Sequence, residues 1–479
     1  MMTSIQESDQ NNKLLLDSFH RFYQLCHVDS LLKRCRIEKK RGASTEEIFR
    51  FVFQLRFTGK NLYRTFHSKC HQGKISLIKP HTVYRFWKQS TFHWRKFLLL
   101  LSTRFLREVI QPLNNSDRVN VLILDDTLIK KPYSSHVEML SLQRNHTSQE
   151  MEKGFPALTL GWSDGSTFVP LSFSLMTSKK YLVNPCVSRL SQLSCHHPSS
   201  LAYRRRIEAM EKKPDVALSM LKQAKTQNIQ AQYVVFDSWF TNPAFLKSIQ
   251  EEVSLDGIGM LKQAKTRYGY QGGHKTLSEL YALCRKKHRP TKLDDKTLLY
   301  GSLCVSVGTL KSGEILYGKI VFVGNRNKKS KRVWLAILST DVSLSDQEII
   351  RIYGKRWAIE VFFKTIKSIL QIEKEYQFRH FDSMVAYVTV AFCRYIYLAW
   401  LSRVSQDIRT CGALFFQACD ELADIRLEEA LIRLLQVLKE LLLQAIPEVA
   451  EKIMELFTSF IKSLPSFLLR NLDFCMCKS

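Results

Sequence analysis

The chain has 479 residues, 45% of them hydrophobic and 24% charged, a composition that excludes an intrinsically disordered protein. It carries 71 lysines and arginines against 44 aspartates and glutamates, and the resulting net charge of +27 favours a polyanionic partner, most simply nucleic acid. The twelve cysteines include no C-x-x-C pair, so we interpret them as small buried hydrophobes rather than as metal ligands or disulfides.

The first hundred residues predict helices, and their charge is uneven. Between residues 51 and 107 there are twelve lysines and arginines and no acid. A helix that starts at Thr82 would present Arg85 and Lys88 on one side, at a spacing that suits contacts to DNA phosphates. The alternative is the basic outer face of a helical bundle.

From residue 118 the pattern changes to short apolar runs separated by turns. RVNVLILDD predicts a buried strand that ends in two acids, and AQYVVFDSWF predicts a second strand that ends in one. FPALTLGWSDGSTFVPLSFSL predicts two strands joined at an Asp-Gly turn. The remaining segments predict a surface loop over 177–206, a helix over 208–226, further strands over 254–340 and helices after 345.

Two segments bear on membranes. The opening MMTSIQESDQNNK is polar and does not resemble a secretory signal. The apolar run 384–401 contains Arg394 and is short for a membrane span, so we interpret it as a buried core helix. These features predict a cytoplasmic protein with no membrane partner.

The segment IYGKRWAIEVFFKTIKSIL predicts one amphipathic helix with Tyr353, Arg356, Glu360 and Lys367 along one edge, beside an apolar stripe. Taken alone, this edge is explained by a solvated Arg–Glu pair at i,i+4 spacing.

Three acids stand out by context: Asp126 or its neighbour Asp125, Asp237, and Glu360. The first two close predicted strands, and ligand sites in open α/β sheets lie at the carboxyl ends of strands. Carboxylate oxygens suit Mg²⁺ or Mn²⁺, and a pair of such ions catalyses phosphoryl transfer. Each aspartate alone is also explained as a turn or capping residue.

These residues resemble bacterial insertion-sequence transposases of the IS-four group. Tyr353, Arg356, Glu360 and Lys367 match that group's YREK signature, Y-x2-R-x3-E-x6-K, and LDDTLIKKPYS and VVFDSWFTNP match its two aspartate segments. The resemblance runs from about residue 80 to 405. It favours Asp126 over Asp125, because the group's first acid commonly lies directly before the threonine.

The resemblance implies an α/β fold with a ribonuclease-H-like catalytic core interrupted by a β-rich insertion and flanked by helical regions. The implied parts are an N-terminal DNA-binding region, two parts of the core with the insertion between them, and a C-terminal helical region that could mediate dimerisation. Their ranges are 1–110, 111–255, 256–342, 343–404 and 405–479.

The resemblance also implies an activity and residue roles. The reaction would be cut-and-paste transposition, with Asp126, Asp237 and Glu360 binding two Mg²⁺ or Mn²⁺ ions in a homodimeric complex with DNA. Tyr353, Arg356 and Lys367 would hold terminal phosphates, and Trp334 would stack on a flipped base. The alternatives are plain core packing for Trp334 and, for the whole chain, an inactive DNA-binding descendant or a metal-dependent nuclease.

Overall fold

The architecture is described from a computed structural model of the chain. The structure describes residues 18–59, 61–70, 78–113, 118–144, 150–184, 197–294, 297–325, 333–374, 378–404, 410–422, 434–435, 438, 441–442 and 450–463. Three helices in the described residues begin at an S/T-x-x-E capping box, in which the hydroxyl and the carboxylate satisfy each other's backbone N–H groups. Such boxes begin the helices at Ser44, Thr276 and Ser345.

The helices, numbered in chain order, are α1 (Ser18–Cys26), α2 (Val28–Arg34), α3 (Thr45–Gln54), α4 (Leu62–Cys70), α5 (Pro80–Trp87), α6 (Trp94–Phe105), α7 (Leu201–Glu208), α8 (Lys213–Thr226), α9 (Pro243–Val253), α10 (Leu277–Lys287), α11 (Asp346–Gly354), α12 (Trp357–Ser368), α13 (Phe381–Val404), α14 (411–422) and α15 (Ala450–Ser463). A 3₁₀ turn follows α3 at Leu55–Thr58, and α6 continues into a π-helical turn at Leu106–Ile110.

The strands are β1 (Val121–Lys130), β2 (Ser141–Arg144), β3 (Met151–Ser163), β4 (Phe168–Leu175), β5 (Tyr233–Phe236), β6 (Asp256–Met260), β7 (Arg267–Tyr270), β8 (Gly273–Thr276), β9 (Thr291–Asp294), β10 (Thr297–Thr309), β11 (Ile315–Gly324) and β12 (Trp334–Ser339). They form one mixed sheet in the order β2-β3-β1-β5-β6-β12-β11-β10-β7-β8, with β4 paired to β3 and β9 paired to β10.

Strand β1 lies near the middle of this sheet. It pairs antiparallel with β3 and parallel with β5, and β6 continues the parallel part beyond β5. From β6 the sheet passes through antiparallel pairs with β12, β11 and β10. The strands between residues 256 and 342 therefore extend the same sheet that carries β1 and β5.

The predicted hairpin at the Asp-Gly turn is confirmed. Strands β3 and β4 pair antiparallel, and the turn joins Ser163 to Phe168. Asp164 accepts hydrogen bonds from the backbone N–H groups of Ser166 and Thr167, and Gly165 has a φ of 97° that favours glycine.

Helix α13 is the buried core helix that the sequence predicted. It has the length and hydropathy of a membrane span, but 89% of its most apolar stretch is buried inside the protein. Its Arg394 is fully buried and donates hydrogen bonds to the carbonyl oxygens of Val52 and Phe53 at the end of α3, at 2.6 and 3.0 Å. A cation inside an apolar helix thus ties the N-terminal helices to the core.

The predicted helix start at Thr82 was wrong by two residues. Helix α5 begins at Pro80, because proline has no N–H to leave unpaired at the first helical position and its φ is already helical. Arg85 and Lys88 are both exposed at the end of this helix. Val83, Phe86 and Trp87 are buried on its other side.

The predicted surface loop over 177–206 was wrong at its basic end. Residues 185–196 lie outside the described residues, but Leu201–Glu208 form α7, and Arg205 and Arg206 are buried. Buried cations are tolerated where carboxylates neutralise them. Here Asp382 accepts from Arg205 at 2.6 Å and Arg206 at 2.9 Å, and Glu138 accepts from Arg206 at 2.6 Å.

Candidate active site

Two strands bring aspartates to one edge of the sheet. In the parallel pair of β1 and β5, Leu124 lies opposite Phe236, so the next residues, Asp125 and Asp237, follow at the same level. The prediction that the first strand ends in its two acids was wrong, because β1 continues past them to Lys130 beside β3 alone, whereas β5 ends at Phe236, directly before Asp237. The site therefore forms where β5 stops and leaves the β1 aspartates uncovered on that side.

Helix α12 adds the third carboxylate. Arg356, the residue before the helix, donates to Asp125 Oδ2 at 2.8 Å and also to Glu360 Oε1. One half-buried guanidinium thus bridges a strand aspartate and a helix glutamate. The Tyr353 ring lies 6.0 Å from the same guanidinium. Charge-assisted hydrogen bonds of this kind fix the geometry of both carboxylates.

Asp126 has a different partner. Successive side chains of a strand point to opposite faces of the sheet, and Asp126 accepts a hydrogen bond from Lys213 Nζ, at the start of α8, at 3.0 Å. The Lys213 ammonium also lies 5.1 Å from the ring centroid of Trp239, which is 41% exposed. The Trp239 backbone N–H donates to Asp237 Oδ1 at 2.9 Å.

The four residues of the predicted helix edge do not lie on one helix, so that prediction was wrong. Tyr353 belongs to α11, while Glu360 and Lys367 belong to α12. Between them the backbone N–H groups of residues 355, 356, 358 and 359 each bond three residues back, which tightens the chain into a turn. This turn places Arg356 at the start of α12, pointing at β1.

Burial and like charge raise two pKa values at this edge. Burial raises the pKa of Asp125 to about 7, with Arg356 opposing the shift and Asp237 adding to it. Burial also raises the pKa of Asp237, and the neighbouring Asp126 carboxylate contributes. Carboxyl groups whose neighbours hold their pKa values high are typical of catalytic sites and of sites that receive a cation.

The donor set fits a divalent cation. Asp125, Asp126, Asp237 and Glu360 offer only carboxylate oxygens, which Mg²⁺ and Mn²⁺ prefer. In the part of the chain that the structure describes, no three His, Cys, Asp or Glu side chains already form a cation-binding group. Glu360 is instead engaged by Arg356, so binding an ion there would require this carboxylate to exchange its partner.

Lys367 and Trp334 lie apart from the Arg356 contacts. Lys367 Nζ lies 4.0 Å from Glu373 Oε1, which also accepts from the Lys130 backbone N–H, so this lysine belongs to the far end of β1. Burial lowers the pKa of Lys367. Trp334 begins β12 and stacks on Tyr281 with ring centroids 4.5 Å apart, which covers one of its faces.

Sequence analysis missed Lys213 and Trp239. Trp239 stands in the quoted segment VVFDSWFTNP, two residues after Asp237, where an exposed indole beside a buried strand end was the available signal. Lys213 gave no signal, because its contact with Asp126 joins residues 87 positions apart. Arg85 and Lys88 lie at the end of α5, and among the described residues neither forms a hydrogen bond or an ion pair with these acids.

The raised pKa of Asp125 predicts a pH-dependent stability. An unfolded aspartate loses its proton near pH 4, whereas the folded one keeps it to about pH 7. The unfolded state therefore binds fewer protons over that range, and stability falls as the pH rises from about 4 to 7. We expect Asp125→Asn to raise the melting temperature in metal-free buffer at pH 8 and to lose this advantage near pH 4.

Thermal unfolding followed by circular dichroism from pH 4 to 8 measures this effect. The control is Asp420→Asn, at an exposed carboxylate on α14. Adding Mg²⁺ at pH 8 should raise the melting temperature of the unsubstituted protein more than that of Asp125→Asn. Equal pH profiles for both variants and the unsubstituted protein would contradict the raised pKa.

Two family models match the chain. The model for the DDE superfamily endonuclease matches residues 78–276, and the model for the transposase DDE domain matches residues 202–395. The first match includes both β1 aspartates, the second includes Glu360, and both include Asp237. No curated protein matches the chain significantly.

DDE transposases act on DNA and generally use divalent metal ions. The chain is an enzyme of the DDE transposase class, with its DDE domain within residues 78–395.

Proposed function

We propose that this enzyme belongs to the IS-four group and catalyses cut-and-paste transposition of an insertion sequence. The observation that carries the proposal is the Arg356 bridge: the arginine and the glutamate of the YREK pattern contact each other and a β1 aspartate. A signature that arose by chance would have no reason to converge on an acid of a central strand.

The sheet supports a ribonuclease-H-like core for this function. The order β4-β3-β1-β5-β6 is antiparallel on one side of β1 and parallel on the other, and this mixed sheet around the acids is compatible with such a core. Its acids belong at β1, at the end of β5 and on a following helix. The β-rich insertion then follows β6 and returns through β12 to α11.

Asp237, Glu360 and one β1 aspartate would hold two Mg²⁺ or Mn²⁺ ions. When bound, such ions activate an attacking water or 3′-hydroxyl and stabilise the leaving oxygen of a phosphoryl transfer. The protein's part is to hold the carboxylates in place. Before an ion binds, Arg356 does this for Glu360 and Asp125, and the Trp239 backbone N–H does it for Asp237.

Sequence and contacts favour different β1 aspartates. The sequence resemblance favours Asp126, whereas the bridge to Glu360 supports Asp125, and Asp126 is paired with Lys213 on the other face. We propose Asp125 as the first acid, since ions shared with Glu360 need carboxylates on one side of β1.

The remaining predicted residues would hold DNA. Tyr353 and Arg356 lie beside the acids and would contact the phosphates next to the cut, while Lys367 would contact the backbone farther along β1. Trp334, with one face still free of Tyr281, would stack on a flipped base. The exposed Arg85 and Lys88 on α5 would contact phosphates outside the site.

A homodimer on paired element ends completes the proposal, with the protein cytoplasmic and associated with the nucleoid. The C-terminal region predicted to mediate dimerisation is described only in part, and its Pro447 lies outside the described residues. On α15, Leu456 is 64% exposed and Phe460 is 48% exposed, which supports an apolar contact there.

The test is cleavage and joining of a labelled duplex that carries the inverted repeats bracketing the gene, with Mg²⁺ or Mn²⁺. We expect nicking at the element boundary and transfer of the 3′ end into a target duplex. Asp125→Asn should reduce cleavage by about a thousandfold, about 4 kcal/mol of barrier, and Asp126→Asn by much less.

Each rival function has its own outcome in this assay. Cutting without joining would identify a nuclease, and specific binding without cutting under any divalent metal would identify an inactive descendant. If Asp126→Asn reduces cleavage more than Asp125→Asn does, the first catalytic acid is Asp126, the residue that the sequence favoured. Chelation by EDTA should abolish both steps and leave DNA binding intact.

A further inference from the structure

A dense group of cations lies outside the site described above. Five of the eight residues 285–292 are lysine or arginine, and none is acidic. The basic strip comprises the end of α10, the turn after it and β9: Arg285, Lys286, Lys287, His288, Arg289 and Lys292. All six side chains are exposed.

Within the described residues, no carboxylate neutralises the charge of the strip. Among the described residues, none of its six side chains forms an ion pair with a carboxylate. Lys287 Nζ donates to the Tyr270 hydroxyl at 2.8 Å, and the Arg285 guanidinium lies 5.2 Å from the Tyr300 ring centroid. These contacts hold the strip in place and leave its charge free. Like charges held this close repel one another, which favours a polyanion as their partner.

Strand register relates the strip to the acids. One row of paired residues crosses the sheet level with the end of β5. It runs from Phe236 in β5 through Gly259 in β6, Leu338 in β12 and Ile320 in β11 to Leu303 in β10. Strand β10, which carries Leu303, runs antiparallel to β5. Residues that precede Leu303 in β10 therefore lie beyond the carboxyl end of β5, which is the edge where Asp237 lies.

Lys292 pairs with Leu298, five residues before Leu303, and His288 packs against Gly301. The basic strip and the acids therefore occupy the same edge of one continuous sheet. Five strand spacings from β5 to β9 separate them by about 24 Å across the sheet, and Lys292 lies about four residues, or about 13 Å, farther along the strands. The resulting separation of about 27 Å corresponds to about eight base pairs of duplex DNA.

We propose that the basic strip binds the phosphate backbone of duplex DNA about eight base pairs from the cleavage site. The placement of the strip relative to the cut rests on the proposed function, whereas the charge and exposure of the strip do not depend on that function. The strip would position the duplex without reading its sequence, because phosphate contacts carry no base information. It would also raise the association rate by attracting DNA to this edge.

The salt dependence of binding tests the proposal. Binding of a labelled random duplex of about 40 base pairs is measured in EDTA at several salt concentrations. The test variant is Lys286→Gln/Arg289→Gln/Lys292→Gln, which leaves the Arg285 and Lys287 contacts intact. Its slope of log Kobs against log salt should be shallower by about two to three, since each lost phosphate contact removes about 0.9.

The matched control removes the same charge at exposed cations elsewhere, with Lys179→Gln/Lys180→Gln/Arg204→Gln. It should keep the slope of the unsubstituted protein. The variant Lys286→Arg/Arg289→Lys/Lys292→Arg keeps the charge and should restore normal binding, which separates charge from folding.

Equal slopes for the two charge-removing triples would overturn the proposal. The proposal would also be overturned if the test variant lost binding to vesicles of anionic phospholipid while its DNA binding stayed unchanged. That result would assign the strip to a membrane surface. The assay contains no metal and measures no cleavage, so failure of the proposed transposition leaves its result unaffected. On an element-end duplex, hydroxyl-radical footprinting of the test variant should show lost protection about eight base pairs from the cut.

Discussion

Glu360→Gln is expected to reduce strand cleavage by a thousandfold or more, about 4 kcal/mol in the barrier. Glutamine has the shape of glutamate and an amide oxygen that still accepts a hydrogen bond from Arg356, so the start of α12 stays in place. What is lost is the negative charge that a divalent cation needs. Cleavage of the element-end duplex under single-turnover conditions measures the effect.

DNA binding should remain within a few-fold in Glu360→Gln, because the phosphate-binding cations are untouched. The matched control is Glu314→Gln, at an exposed glutamate beside the turn from β10 to β11, and it should cleave normally. Full activity in Glu360→Gln would remove this residue from the catalytic set. Loss of DNA binding together with cleavage would point instead to a disturbed fold.

Asp382→Asn is expected to lower the free energy of unfolding by about 3–5 kcal/mol. Asp382 begins α13 and accepts hydrogen bonds from Arg205 at 2.6 Å and Arg206 at 2.9 Å, and all three side chains are buried. An asparagine amide group would face guanidinium donors and leave one of these cations without its charge partner. The melting temperature and the urea midpoint should both fall.

The control for this effect lies on α7, the helix that carries Arg205 and Arg206. Arg204→Gln changes an exposed arginine next to the buried pair and should leave stability nearly unchanged. Glu138→Gln should resemble Asp382→Asn, because Glu138 is bonded to the Arg206 guanidinium and the Phe381 backbone N–H. A small effect in both carboxylate variants would mean that water reaches the network.

The elements of the sheet were largely predictable from sequence, because apolar strands and Asp-Gly turns are local signals. The runs that contain Asp125 and Asp237 form β1 and β5, and the apolar run with Arg394 forms a buried helix. The pairing of β5 with β1 rests on contacts between residues more than a hundred positions apart. No local pattern encodes such a pairing.

The errors have physical causes that a single sequence does not reveal. The buried positions of Arg205 and Arg206 depend on Glu138 and Asp382, which are distant in the chain. The break before α12 arises from a change in hydrogen-bond spacing that leaves helical periodicity nearly intact. Asp125 and Asp126 are chemically identical neighbours, so only the strand face distinguishes them.

The pairing of β6 with β12 has a consequence for how such a chain can be divided. Excising the residues that follow β6 up to and including β12 would strip β6 of its hydrogen-bonding partner and leave a row of open N–H and C=O groups beside the catalytic edge. Such an edge invites pairing with other chains. A minimal catalytic fragment of this enzyme must therefore retain β12, or receive a substitute strand, to remain a monomer during folding.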